Sequence, residues 1–275
     1  MAVVANARMY AVTAEVATDW RTLFAWVAHR SGIELTYLDH AAPAPLEDLW
    51  SRDDLGAVFM CGFPFASAEP KPQLLAAPIP QPPRYGGEPC YCTDFVVRAD
   101  RPFGTLQDCF GGRIGWTVHH SQSGYNAVRY HLYRHLLQYS RERHAKPLFA
   151  EWVGPLVTPR SVVEAVLAGR IDVGPVDSLV HDLLERHEPA TMARLRTVGS
   201  TVMTPVPPLV ASRAVSDETA QRLREALLSC GGDPQMRPVL DRLALRGFAA
   251  VAPADYAVLL RQAREAEVPA ESQFR

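Results

Sequence analysis

Gly112–Leu136 reads GRIGWTVHHSQSGYNAVRYHLYRHL, and this stretch decides the fold. The apolar run Ile114–Val118 predicts a buried strand. His119, His120, Ser121, Gln122, Ser123 and Gly124 then form a polar, small-residue turn. Beyond it, apolar residues recur at helical spacing: Tyr125, Val128 and Leu132, then Leu136 and Leu137. Strand, loop and helix follow one another, with two serines and a glycine at the helix entrance. The first turn of a helix carries unpaired N–H groups and a partial positive charge. The two hydroxyls add donors, and the glycine lets the backbone approach a ligand closely. Such an entrance suits a phosphate, phosphonate, sulfonate or carboxylate. The same serines would also serve as plain N-caps with no ligand at all.

Working outward, the 275 residues suffice for one large domain or for two lobes with their own cores. The formal net charge is −2 and no block of Lys and Arg dominates, which argues against nucleic acid as a partner. No apolar run reaches membrane-spanning length. The 23 prolines gather at 43–45, 64–83 and 205–208 and mark connections between periodic segments. The five cysteines, Cys61, Cys90, Cys92, Cys109 and Cys230, are odd in number and match no zinc spacing. They read as small buried hydrophobes, so no metal or cofactor is expected. Residues 1–10 lack a charged segment followed by a long apolar core. The chain as written therefore reads as cytoplasmic, and as periplasmic if a leader has been trimmed from it.

Strands are expected at 7–12, 33–38, 57–60 and 73–78, with helices at 19–31 and 45–50 between them. That alternation predicts a mainly parallel sheet covered by helices. A second βα half carries strands at 91–98, 114–118, 146–152, 171–176 and 195–200. Its helices are expected at 105–109, from 125 to about 141, at 160–168 and at 177–185. An extended segment, 205–212, leads to helices at 217–230, 236–245 and 253–266. That last part has no sheet of its own and must pack on one of the halves.

Three features now line up. Ser121–Tyr125 opens a helix. AVLAGRIDV, Ala165–Val173, leads into Gly174-Pro175-Val176-Asp177-Ser178. Asp217–Leu228 follows a Pro-rich extended segment. This order resembles the phosphate, phosphite and phosphonate substrate-binding proteins of ABC transporters, from Tyr10 to about Arg261. The resemblance implies the two-lobed type II periplasmic-binding fold, each lobe a mainly parallel sheet flanked by helices. Residues 1–92 and 210–275 would form one lobe and 96–203 the other, with crossover strands near 91–97 and 205–211 as hinge. It further implies a solute-binding protein that closes over a small oxyanion, for uptake or sensing and without catalysis.

Carried over residue by residue, the oxyanion donors fall on Ser121, Ser123 and the N–H groups near Gly124 and Tyr125, with Gln122 also in the ligand-binding loop. Asp177 takes the place of the acid that meets a ligand's amino end, and Tyr10 that of an aromatic at the end of the first strand. Cys61, Gly62 and Phe63 would face the ligand from the other lobe. The family's Gly-Ser-His segment is replaced here by Thr158-Pro159-Arg160-Ser161, and Arg160 would supply the missing positive charge. The expected partners are a small anion and an ABC permease, with the protein a monomer that binds no nucleic acid. The resemblance also implies a second reading, since some enzymes of menaquinone and thiamine-pyrimidine synthesis look like these binding proteins: an enzyme on the same fold. His119, His120, Cys61 and Asp177 would be its proton-transfer groups.

Overall fold

The computed structural model describes residues 2–139 and 147–267. The chain divides into two compact units, Met1–Tyr91 with Pro205–Ala257, and Cys92–Thr204 with Val258–Arg275. Unit 1 opens with β1 (Val3–Asn6), α1 (Ala14–Ser31), β2 (Leu35–Tyr37) and α2 (Leu46–Trp50). It continues through β3 (Leu55–Phe59), α3 (Gly62–Ser67), β4 (Gln73–Pro80) and the two-residue β5 (Cys90–Tyr91). Unit 2 then holds β6 (Thr93–Arg98), β7 (Arg113–Gly115), α4 (Ala127–Tyr139) and β8 (Glu151–Val153). After these come α5 (Pro159–Leu167), β9 (Gly174–Asp177), α6 (Ser178–His187), α7 (Pro189–Met192) and β10 (Leu195–Ser200). The return to unit 1 brings β11 (Thr204–Pro205), β12 (Leu209–Ala211), α8 (Asp217–Ser229), α9 (Arg237–Arg242) and β13 (Leu245–Ala249). The last helix is α10 (Ala257–Glu267).

The unit 1 sheet has the order β13-β4-β12-β3-β1-β2. β1 runs parallel to β2 and β3, while β12 is antiparallel to both β3 and β4. β1 to β4 therefore share one direction, and β12 and β13 oppose them. Unit 2 repeats the plan. β6 lies antiparallel to β9 and β10, β7 lies parallel to β8, and a parallel bridge from Ile114 to Val173 joins the two groups. Its order is thus β8-β7-β9-β6-β10, with β6 as the opposing strand. The sheets are mixed rather than mainly parallel in their pairings. In each, the strand that has just crossed from the other unit inserts against the rest.

The first strand ends earlier than its apolar run suggested. Asn6 Oδ1 accepts from Arg8 N, and Tyr10 N and Ala11 N both donate to Ala7 O, so 7–11 is a turn. α1 starts five residues before its expected position because Thr13 caps it, accepting from Val16 N. Gly32, at φ 65°, closes it in the left-handed conformation that glycine adopts without strain. The helix expected at 236–245 is cut short by a strand the pattern did not show: α9 stops at Arg242, and β13 pairs with β4, so the last part of the chain does contribute to a sheet. The expected helix end near Arg141 and strand start at 146 lie outside the described residues. Residues 210–275 do not all belong to unit 1, as expected from their order. From Val258 onward the chain belongs to unit 2, where Arg129 Nη2 donates to Ala266 O at 3.3 Å.

The core of unit 1 includes an aromatic knot. Phe59 receives Tyr10 and Trp20 edge-on at centroid distances of 4.9 and 5.1 Å. Unit 2 is built on Phe95, Val97, Ile114, Val128, Leu132 and Phe149. Four of the five cysteines are buried, Cys90 is half-buried, and all five are free thiols. Burial pushes the thiols of Cys109 and Cys230 up to about 12, which keeps them protonated and inert.

Candidate functional site

The helix entrance is tied to the sheet beneath it by β7. Arg113 donates its backbone N–H and its guanidinium to the carboxylate of Asp172. That pairing holds the Asp172 carboxyl below its usual range. After Gly115 the chain leaves the strand, and Thr117 N donates to Gly124 O at 3.2 Å. The loop is therefore closed on itself, which is why the strand is shorter than the run Ile114–Val118.

The helix does not start as a plain α-turn. Gln122–Asn126 forms a single π-turn, with Asn126 N donating to Ser121 O, before α4 proper begins. Ser121 is its N-cap: Oγ accepts from Gly124 N at 3.0 Å. A hydroxyl that accepts still has its own proton to donate, so capping does not use Ser121 up. Ser123 is 7% exposed, its carbonyl accepts from Thr93 Oγ1 at 2.8 Å, and its hydroxyl has no hydrogen-bond partner among the described residues. Gln122 is buried at 1% exposure.

Gly124 is required by space. A Cβ there would lie 2.0 Å from Thr117 Oγ1 and 2.8 Å from its Cβ. The half-buried Tyr125 ring meets Trp116 at 5.6 Å and His119 at 4.8 Å, with the Arg129 guanidinium 5.3 Å from its centroid. Three residues that the sequence pattern did not single out hold this geometry: Thr93, Thr117 and Asn126. Asn126 Nδ2 donates to both His119 O and Ser121 O. Only Asn126 had a local signal, as an amide just past a Ser-x-Ser-Gly loop.

Asp177 ends β9 and is 4% exposed. Its Oδ1 accepts from Leu179 N at 2.9 Å and Val180 N at 3.2 Å, so it is the N-cap of α6. It pairs in register with Thr93, the residue that holds the Ser123 carbonyl. The structure thus brings Asp177 and the Ser121–Tyr125 turn together through β6.

Arg160 makes a two-pronged ion pair with Glu188 at 2.8 and 3.2 Å, and it also approaches Glu164. A guanidinium held by a matching carboxylate has its fork already filled.

The remaining candidates lie in unit 1. Tyr10 is not at a strand end but in the turn after β1, 1% exposed, with its ring in the aromatic knot and its carbonyl accepting from Trp20 Nε1. Cys61 precedes α3 and is buried, as is Gly62, while Phe63 is half-buried. Of the proton-transfer candidates, the His119 ring lies 4.4 Å from that of Trp116, Asp177 caps α6, and Cys61 belongs to unit 1.

The comparisons with known proteins agree with this architecture. The family described as "ABC transporter, phosphonate, periplasmic substrate-binding protein" matches residues 11–256. No curated protein matches the chain by sequence. Among solved structures, it is similar to a binding-protein component of an ABC phosphonate transporter from Pseudomonas aeruginosa. That pair has a TM-score of 0.74 and 16% identity, over 96% of this chain and 85% of the other. PhnD1 from Prochlorococcus marinus, in complex with methylphosphonate, gives 0.72 and 16% over 96% and 97%. XAC2383 from Xanthomonas citri, bound to ATP, gives 0.62 and 21% over 98% and 97%. With the fold common to all three and the family match spanning most of its length, the chain belongs to the phosphonate substrate-binding proteins of ABC transporters.

Proposed function

We propose that this solute-binding protein captures a phosphonate-like oxyanion at the Ser121–Tyr125 entrance of unit 2. One observation carries the reading: the hydroxyl of Ser123, in a residue almost wholly buried, has no partner among the described residues. It stands beside a hydroxyl with a proton to give and at the start of a helix, where the backbone field favours negative charge. A set of neutral donors suits an oxyanion. The family description and the methylphosphonate complex of PhnD1 support a phosphonate in particular. Each charge-assisted hydrogen bond contributes roughly 1.5–3 kcal/mol. Three or four such bonds leave micromolar affinity once association costs of several kcal/mol are met. Asp177 is proposed to receive an amino group where the ligand carries one. The protein is proposed to act as a monomer that feeds a permease, to bind no nucleic acid and to perform no chemistry. Segments 91–97 and 205–211 are proposed as the hinge.

Calorimetric titration with methylphosphonate tests the site. Ser123→Ala should weaken binding by about 10- to 100-fold, the equivalent of one charge-assisted bond. Ser121→Ala should do the same and also cost about 1 kcal/mol of stability through the lost cap. Arg160→Gln should leave affinity unchanged. An unaltered Kd in the double serine variant overturns the proposal.

A further inference from the structure

Unit 2 contains a recess that begins at Ala127, just past the helix entrance. It is a cavity of ≈ 390 Å³ along the flank of α4, and Ser121–Tyr125 take no part in its wall. Its volume falls in the range of small-molecule sites, about 300–1,000 Å³. α4 contributes Tyr130, His131, Arg134 and His135, at the spacing of one helical face. Val202 comes from the segment before β11 and Gln262 from α10.

The deepest of these groups is Gln262. It is 7% exposed, and its amide makes no hydrogen bond among the described residues. Its Oε1 is fully buried, whereas Nε2 is not and is left to donate. A buried polar group without a partner is costly in a folded protein and calls for an explanation. Arg134, exposed at the mouth, likewise forms no ion pair among the described residues. No Asp or Glu among the described residues lines the cavity. One full positive charge, an amide donor and an apolar wall at Val202 therefore face the same space. Burial lowers the pKa of His131 and His135, so the two imidazoles add polarity at neutral pH but little charge.

We propose that this cavity is a separate site for a small organic carboxylate with a compact apolar body. Arg134 would bind the carboxylate, Gln262 Nε2 would donate to it, and Val202 would cover the apolar part. A single guanidinium matches one negative charge, which favours a carboxylate over a doubly charged phosphoryl group. The site does not depend on what occupies the helix entrance.

Fluorine NMR of para-fluorobenzoate with the full chain tests the proposal. Saturable line broadening is expected with the native protein. Arg134→Gln should raise the midpoint by about tenfold or more, the loss of one charged hydrogen bond. Arg134→Lys should restore most of the affinity, and Gln262→Leu should weaken it while leaving methylphosphonate binding intact. Absence of saturable broadening with the native chain overturns the site, as does an equal midpoint in Arg134→Gln. Loss of the probe in the Ser121→Ala/Ser123→Ala variant would place it at the helix entrance and also overturn the proposal.

Discussion

Ser121 and Ser123 stand two residues apart and do different work. Ser121 closes the first turn, while the Ser123 hydroxyl makes no hydrogen bond among the described residues. The structure answers the capping half of the question, which the sequence leaves open: Ser121 is the cap and Ser123 is not. His131 gives a residue-scale prediction with a sign. Its ring lies 5.2 Å from Phe95, and burial, with His135 as a lesser cause, lowers its pKa from 6.5. The unfolded chain then binds the proton more readily than the folded one. The stability from the neutral form is complete above 6.5 and is lost as pH falls through that value toward the folded pKa. Thermal unfolding at about pH 7.5 and about pH 5.5 should show a smaller loss in His131→Gln than in the native chain. An equal loss in both would remove His131 from the account. Residues whose role is local were readable in this way: the Ser121 and Asp177 side chains act on backbone within three positions of themselves. Arg160 was not, because its partner Glu188 lies 28 residues away and nothing near Arg160 announces it.

At the scale of elements, the entrance to α4 depends on one close approach. Gly124 lies against Thr117, and the two backbones are joined by a hydrogen bond. Gly124→Ala should therefore cost about 1–3 kcal/mol, the range for overpacking, and should weaken anion binding by displacing the donors. Urea unfolding reads the first effect and calorimetry the second. Thr117→Ala in the same chain removes the nearest two atoms and should recover part of the loss, so the double variant should fall short of additivity. A neutral Gly124→Ala would show that the turn has room to shift. Much of the order of strands and helices could be read from periodicity, although caps and turns moved the ends, as at β1, α1, β7 and α9. The pairings could not. β12 and β6 carry no mark of running against their neighbours, because strand direction is set by where the chain has come from. The π-turn was equally hidden, for it arises from Asn126 holding two carbonyls rather than from any apolar spacing.

At the scale of the molecule, the two units share one sheet plan without a repeated sequence, and the chain passes between them three times. The third passage is the informative one. Residues after Ala257 follow unit 1 in sequence but cluster with unit 2. In α10, Leu259, Ala263 and Ala266 are buried, Gln262 lines the cavity beside α4, and the carbonyl of Ala266 accepts from Arg129. Burying one leucine and two alanine methyls contributes roughly 3–5 kcal/mol at about 0.8 kcal/mol per carbon group and 1.5–3 for the leucine. A chain ending at Ala257 should therefore lose stability in unit 2 and not in unit 1. Hydrogen exchange measured by mass spectrometry separates the two. Amides of α4 and of β10 should exchange faster in the shortened chain, while those of β1, β3 and β4 keep their protection. Because α10 carries Gln262, the same truncation should abolish para-fluorobenzoate broadening. If exchange instead quickens in the unit 1 sheet and α4 is unaffected, the last helix stabilises the unit it follows in sequence. The division of the chain at Ala257 would then be wrong.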